Sequence, residues 1–246
     1  MDFALPELAY FIAVAFGSAL LHSVGGFAGG LMMAIGLAPV LGIKETVPVV
    51  ATAMVISHTS RAWLFRKSVD WGIFKLLFFF GLPFIILGVL FYVELSEKAV
   101  ALFLGIFLFI TMPLRRYLAG KSITIPRKAI SVVAIPYGFL SGASFGVGMI
   151  LAPFLLGAGI AGETLLATVA VAGIVLNVTK TVTFGLSPLL TAELALLGVM
   201  LGLATFPGHA AGRWIVRRTP IRVHTLFLEA FVLLGATYMV WKGLFG

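Results

Sequence analysis

Two uncharged stretches, each longer than one membrane crossing, constrain this chain more than any other feature. Residues 8–43 carry no acidic or basic side chain except His22, and residues 129–162 carry none at all. The hydrocarbon core of a bilayer is about 30 Å thick, which roughly 20 helical residues span. One helix over residues 129–162 would be about 51 Å long, whereas two full crossings need about 40 residues. We therefore predict a re-entrant hairpin in each stretch, with arms of ~15 residues that reach about 22 Å into the membrane.

The composition defines the class of protein. Hydrophobic residues make up 61% of the chain and charged residues 11%, whereas a soluble domain carries about a quarter charged residues. We therefore predict an all-α polytopic membrane protein. The absence of cysteine excludes disulfides, thiolate catalysis and cysteine-ligated metals. Acidic rather than basic residues precede the first apolar segment, so we expect no cleavable signal peptide there.

The remaining apolar segments and the basic residues define a topology. We predict six spanning helices, near residues 46–66, 72–93, 99–118, 163–184, 190–212 and 223–243. Of the 17 lysines and arginines, all except Lys44, Lys98, Lys180 and Lys242 then fall at or in three short loops on one side. The positive-inside rule makes this side cytoplasmic. We interpret the net charge of +8 as this topology signal and expect no nucleic-acid partner.

An internal repeat relates the two hairpins. Seven residues between positions 23 and 46 recur 118 positions later: Ser23 and Ser141, Phe27 and Phe145, Gly30 and Gly148, Ala34 and Ala152, Leu37 and Leu155, Glu45 and Glu163, Thr46 and Thr164. The repeat and the topology together predict two halves of opposite orientation, each a re-entrant hairpin followed by three spans. The first half is 1–119 with its hairpin at 6–43, the cytoplasmic linker is 120–128, and the second half is 129–246 with its hairpin at 129–161. Inverted repeats with interrupted helices are typical of secondary transporters.

The glycine-rich interruptions predict an anion site. Irregular backbone at membrane depth survives only where it is buried in protein or lines a wet cavity. The second arm of each hairpin begins near Phe27 or Phe145, so its N-terminal N–H groups and the positive end of its dipole point toward the membrane centre. The alternative is that the small residues serve close helix packing, which is common in membranes. The paired pattern favours the anion site.

The candidate substrate-binding residues lie at the two interruptions and at polar positions inside the spans. They are His22, Ser23, Gly26, Gly29, Gly30, His58, Arg61, Ser141, Ser144, Gly146, Gly148, Asn177 and Lys180. Ionisable residues inside spans are functional candidates by default, although Arg61 and Lys180 are near enough to helix ends to reach water instead. Glu229 is the only carboxylate well inside a predicted span, which makes it the candidate for proton coupling. We also expect Glu229 and His209 to pair with each other or with Arg213 and Arg222.

The two glycine-rich motifs carry a resemblance to a known family. The first reads Gly25-Gly26-Phe27-Ala28-Gly29-Gly30 and continues to Pro39-Val40-Leu41-Gly42; the second reads Gly146-Val147-Gly148-Met149-Ile150-Leu151-Ala152-Pro153. With its length and its duplicated half, the chain resembles the sulfite exporter TauE/SafE family, also called the toluene sulfonate uptake permease family. The usual glycine triplet is split by Phe27 and Ala28 in the first copy, and Ile35 stands where Pro153 stands in the second. The resemblance implies transport of sulfur oxyanions, sulfonates, sulfoacetate-type or related organic anions.

These observations predict a secondary transporter that moves small sulfur-containing anions by alternating access, with the anion held at the hairpin tips. A passive anion channel is one alternative. An intramembrane serine hydrolase, using Ser141 or Ser144 with His209 or another histidine, is another, but the chain lacks a Gly-x-Ser-Gly motif and such an enzyme has no use for an inverted repeat. We expect no enzymatic activity, no cofactor and no metal. The expected partners are a small anion and the lipid of the cell membrane, the inner membrane of a bacterium, and the oligomeric state is left open.

Overall fold

The structure, a computed structural model, describes residues 4–25, 29–121, 124–216 and 221–246. These residues form ten α-helices and two short 3₁₀ turns, with no strand among them. The helices are α1 Leu5–Gly25, α2 Gly29–Leu41, α3 Ile43–Leu64, α4 Trp71–Glu94, α5 Glu97–Ala119, α6 Ile130–Ala143, α7 Gly148–Gly157, α8 Gly162–Gly185, α9 Ala192–Val216 and α10 Ile221–Phe245. Five described segments, in α1, α4, α5, α8 and α9, are long and apolar enough to cross a membrane. The predicted all-α polytopic membrane fold is thereby confirmed.

Two helix pairs occupy the predicted hairpin stretches. In the second half, α6 has 14 residues and α7 has 10, and residues 144–147 between them are not helical. In the first half, α2 has 13 residues but α1 has 21, more than the arm length we predict. Helix α1 is longer than α6. No proline and no pair of glycines lies between Pro6 and Gly25 in α1, whereas residues Arg127–Ala129 ahead of α6 form a 3₁₀ turn, so that α6 begins only at Ile130. The interruption of the first pair, at 26–28, lies outside the described residues.

Helices α4 and α6 lie side by side in close contact through small residues. A Cβ atom added to Gly138 would lie 2.3 Å from the carbonyl oxygen of Gly81, and one added to Gly142 would lie 2.2 Å from that of Ile85. Real Cβ atoms do not approach so closely, so only glycine fits at either position without a backbone shift. Small residues four apart commonly bring membrane helices together in this way. For these two glycines, close packing explains the sequence.

The packing of the helices follows the repeat. If α1–α5 correspond in order to α6–α10, the pair α1–α9 corresponds to α6–α4, and the pair α3–α9 corresponds to α8–α4; all four pairs are in contact. The corresponding helices α3 and α8, and likewise α5 and α10, also lie side by side. Thr52 Oγ1 lies 3.4 Å from Thr181 Oγ1 and the His58 ring lies against Gly173, so α3 and α8 run antiparallel. This arrangement supports the inverted repeat, which stays a prediction.

Asp70 fixes the start of α4 next to the linker between the two halves. Its carboxylate accepts a hydrogen bond from the N–H of Ile73 at 3.0 Å, which caps the helix, and forms an ion pair with Arg127. Its own N–H donates to Thr168 Oγ1, in α8, at 2.9 Å. Burial acts to raise the pKa of Asp70, but the hydrogen bond from Ile73 and the Arg127 guanidinium outweigh it and hold the pKa below its ordinary value. Asp70 therefore connects α4, α8 and the linker as an anion.

Replacing Asp70 with alanine is expected to lower the free energy of unfolding by about 1 kcal/mol, because the helix cap and the ion pair are both lost. Asparagine keeps the cap and loses only the charge. Because folding lowers the pKa, the carboxylate contributes fully above its unfolded pKa of about 3.9, and the contribution is lost as the pH falls through the folded pKa. As the pH is lowered from about 6 through about 4 and below, thermal unfolding in detergent should therefore show a shrinking gap between wild type and Asp70→Asn. A gap that stays constant over this range would show that the charge contributes no stability.

Candidate functional site

A cavity of about 90 Å³ is lined by both helix pairs, α1–α2 and α6–α7, and by helices α3 and α8. This is more space than one water molecule needs, so a small polyatomic solute can enter. Most of the candidate residues line it: His22, Gly30, His58, Ser141, Ser144, Gly146, Gly148, Asn177 and Lys180. The remaining lining is largely apolar and comes mostly from α3 and α8, for example Val50, Met54 and Leu176. The structure thus brings into one cavity residues from both halves of the chain.

The break between α6 and α7 meets the start of α2. Gly146 has a φ of +77°, a left-handed conformation that favours glycine. A Cβ atom added there would lie 3.2 Å from the Cβ of Leu31, in the first turn of α2. Gly30, the residue before Leu31, lines the cavity together with Gly146. The start of α2 and the break after α6 therefore meet at the cavity.

The same break presents backbone donors to the cavity. The N–H groups of Met149 and Ile150 donate to the carbonyls of Gly146 and Val147 at 3.1 and 2.9 Å. By contrast, the N–H groups of residues 145–148 donate no hydrogen bond to any residue that the structure describes. All four of these residues line the cavity, and they lead into α7, whose dipole places partial positive charge at this end. Unpaired N–H groups at a helix start are suited to an anion.

Lys180 brings a buried cation to the cavity. Its side chain is 5% exposed, and its Nζ donates to the carbonyl oxygen of Ser144 at 2.8 Å. Among the described residues, no carboxylate pairs with it. An ammonium group has three donors, so two remain for a ligand. The alternative that Lys180 extends to water does not hold, because the side chain turns inward.

Other polar groups of the cavity are partly occupied. The Ser144 hydroxyl donates to the carbonyl of Leu140 at 2.6 Å, so its proton is not available to a ligand. Asn177 Nδ2 donates to the carbonyl of Gly173 at 2.7 Å, which leaves its second N–H free for another acceptor. Tyr137, which sequence reasoning missed, lines the cavity with its hydroxyl beside Ser141. Their spacing of four residues on α6 is the signal that identifies this pair.

A histidine cluster, formed by His22, His58 and His209, adjoins the cavity. The ring of His22 lies 5.9 Å from that of His58 and 5.5 Å from that of His209, between centroids. His22 Nδ1 accepts a hydrogen bond from the N–H of Gly29 at 2.7 Å, and its Nε2 contacts Arg61 Nη1. A Cβ atom added to Gly29 would lie 2.3 Å from His22 Nδ1, so glycine is required for this contact. Gly29 and Arg61 thus contact His22, which lines the cavity, and do not line the cavity themselves.

Two candidates fall outside the described residues, and a third lies elsewhere. The side chain of Ser23 and the whole of Gly26 lie outside the described residues. Glu229 does not line the cavity; its carboxylate accepts from Arg116 Nε at 3.0 Å and forms an ion pair with that guanidinium. The expected pair of Glu229 with His209 does not form, because α10 packs against α5 and places Glu229 beside Arg116. His209 instead shares a hydrogen bond of 2.9 Å with Ser57 Oγ.

The serine hydrolase alternative finds no histidine within hydrogen-bond reach of Ser141 or Ser144 among the described residues. The hydroxyl of Ser144 is bonded to a backbone carbonyl and that of Ser141 lies beside Tyr137. His209, the expected base, is bonded to Ser57. Serine catalysis needs a histidine within hydrogen-bond reach of the hydroxyl. The geometry favours binding over covalent chemistry.

A family comparison covers nearly the whole chain. Residues 10–239 match the family described as Sulfite exporter TauE/SafE. This range includes all the candidate residues and both helix pairs, except the first five residues of α1. No curated protein and no solved structure matches the chain significantly.

Proposed function

The chain belongs to the sulfite exporter TauE/SafE family, and we propose that it moves a small anion of the sulfite, sulfonate or sulfoacetate type by alternating access through the cavity. Membership of this family, together with five apolar helical segments, makes it a multi-pass membrane transporter with a small anionic substrate. The proposal adds where the anion binds, how it crosses, and that the membrane is the cell membrane.

The observation that carries the proposal is the uncompensated positive charge of the cavity. Lys180 is buried and lines the same space as four backbone N–H groups that have no partner among the described residues. Burying a charge without a partner costs free energy, and so does burying unpaired N–H groups. An anion that enters the cavity supplies the missing acceptor to all of them.

The donors suit an anion with several oxygens on one centre. The ammonium of Lys180, the amide of Asn177 and the N–H groups of residues 145–148 belong to different elements and surround one small space. A sulfite or sulfonate group offers three oxygens, so it can accept from several of these donors at once. The apolar side chains of Val50 and Met54 provide room for a short carbon chain. These features fit inorganic sulfite and small organic sulfonates.

Alternating access follows from the relation between the halves. Helices α3 and α8 run antiparallel on either side of the cavity and occupy corresponding positions in the repeat. In inverted-repeat transporters, the substrate site lies at the repeat interface, and one half rocks against the other to open it to either side. If the two halves of this chain exchange their conformations, the cavity opens alternately to the two faces of the membrane.

Reconstituted protein should take up radiolabelled sulfite or methanesulfonate into liposomes with saturable kinetics. Unlabelled anion inside the vesicles should accelerate this uptake, because a carrier returns faster when it is loaded. A passive channel would show no such acceleration, and acetate serves as the comparison for selectivity. The proposal fails if none of the sulfur-containing anions enters faster than into protein-free vesicles.

A further inference from the structure

His58 is the one cavity-lining histidine whose hydrogen bonding is incomplete in the described part of the chain. Its Nδ1 is buried and has no hydrogen-bond partner there. The ring lies against Gly173 of α8, where an added Cβ atom would be 2.8 Å from His58 Nε2. A buried polar atom without a partner costs free energy. His58 Nδ1 is therefore available to interact with an incoming ligand or to bind a proton.

The groups around His58 are cationic or neutral. The titratable groups acting on the histidine cluster are the three rings themselves and Arg61 of α3. Helix α2 contributes no charged residue, α8 contributes Lys180 to the cavity, and Glu229 of α10 is paired with Arg116 of α5. No described carboxylate faces the cluster. An imidazolium in the empty cavity would therefore be repelled by Arg61.

Of the other two histidines, His22 is held as a neutral ring and His209 does not line the cavity. His22 Nδ1 accepts from the N–H of Gly29, so a proton on that nitrogen would place two donors against each other. His209 is held by Ser57 at 2.9 Å and interacts with the backbone of Ala19. His58 has no such partner among the described residues. Of the two histidines that line the cavity, His58 is therefore the ring that can change its protonation state with the least loss of hydrogen bonding.

We infer that His58 binds one proton when the anion enters the cavity, so that anion and proton cross the membrane together in the same direction. The inference rests on the proposed function. The negative charge of the anion offsets the positive charges of Arg61 and Lys180. An imidazolium at His58, which is repelled in the empty cavity, is therefore attracted when the anion is bound. By linkage, protonation of His58 raises the affinity for the anion by the same factor by which the bound anion raises the affinity for the proton.

The step balances without any other reactant. A proton from water on the entry side binds the free lone pair of the His58 imidazole, and it returns to water on the exit side when the anion leaves. No bond in the anion forms or breaks. For a monovalent anion the pair carries no net charge, so a membrane potential should not drive its transport.

The test measures protons per anion in proteoliposomes, with pyranine inside the vesicles reporting acidification and radiolabelled methanesulfonate reporting uptake. A sulfonate stays a monoanion near neutral pH, so any accompanying proton travels on the protein. Wild type should carry about one proton per anion, unaffected by a potential set with potassium and valinomycin. His58→Gln should lower this ratio toward zero in whatever uptake remains. His209→Gln, in the same cluster but outside the cavity lining, should keep the wild-type ratio.

The outcomes separate the inference from the proposed function. Uptake of methanesulfonate without acidification, or an unchanged ratio in His58→Gln, overturns the role of His58. Loss of the ratio in Glu229→Gln but not in His58→Gln assigns coupling to Glu229 instead. If wild type takes up neither methanesulfonate nor sulfite, the proposed function itself fails.

A binding measurement covers the case in which His58→Gln abolishes uptake. Calorimetry of methanesulfonate binding to detergent-solubilised wild type, in two buffers of different ionisation enthalpy, gives the number of protons taken up per anion bound. A value near one supports the inference, and a value near zero overturns it.

Discussion

Replacing Lys180 with methionine is expected to weaken anion binding by roughly 10- to 100-fold, because a hydrogen bond to a charged group contributes about 1.5–3 kcal/mol. Uptake should fall accordingly, while the empty protein becomes more stable. Methionine is flexible and fills a similar space, and it removes an ammonium group that is buried with a single carbonyl partner, that of Ser144. A loss of binding combined with a gain in stability is the result that a purely structural lysine would not give.

Lys44 provides the matched control. Its Nζ also donates to backbone carbonyls, those of Val93 at 3.0 Å and Leu95 at 2.5 Å, but Lys44 does not line the cavity. Lys44→Met should therefore leave uptake of radiolabelled methanesulfonate close to wild type. Thermal unfolding in detergent, recorded for both variants without anion, gives the stability comparison. Wild-type uptake by Lys180→Met, or a fall in its stability, would contradict the assignment of Lys180 to the anion.

The parts of the site that could be predicted are those that break a pattern locally. An ionisable residue in an apolar helix, such as Lys180 or His22, is visible without knowing what it contacts, because the membrane makes its charged form costly. The glycine-rich break at Gly146 is visible for the same reason, since it interrupts a helix where helices are otherwise obligatory. These residues do meet in one cavity.

The parts that could not be predicted depend on which helices become neighbours. The pairing of Glu229 with Arg116 requires α10 to pack on α5, and the support of the His58 ring requires Gly173 to face it from α8. Hydropathy gives the length of a span but not its rotation about its own axis. The same limit applies to glycine: composition could not separate Gly142, which packs α6 on α4, from Gly146, which lines the cavity.

Replacing Gly146 with alanine is expected to reduce methanesulfonate uptake by more than about 10-fold. Its φ of +77° makes any side chain strained, at a cost of roughly 1–2 kcal/mol. The added methyl group would also lie 3.2 Å from Leu31 Cβ and 3.3 Å from Leu31 Cδ2. Because that contact joins the break to the start of α2, relief of the strain must move one side of the cavity away from the other. A shift of about 1 Å is enough to misplace donors that bind one small anion.

Gly159 allows the strain to be separated from the site. It has a φ of +81°, and an added Cβ atom would meet nothing within 4 Å, in the loop after α7. Alanine at either position should therefore lower the thermal unfolding temperature by a similar amount, since the backbone strain is similar. Only Gly146→Ala should lose uptake. Wild-type uptake by both variants would mean that the break does not bind the anion. An equal loss of uptake in both would attribute the effect to stability. The difference in uptake between the two variants therefore isolates the contribution of the contact between Gly146 and Leu31.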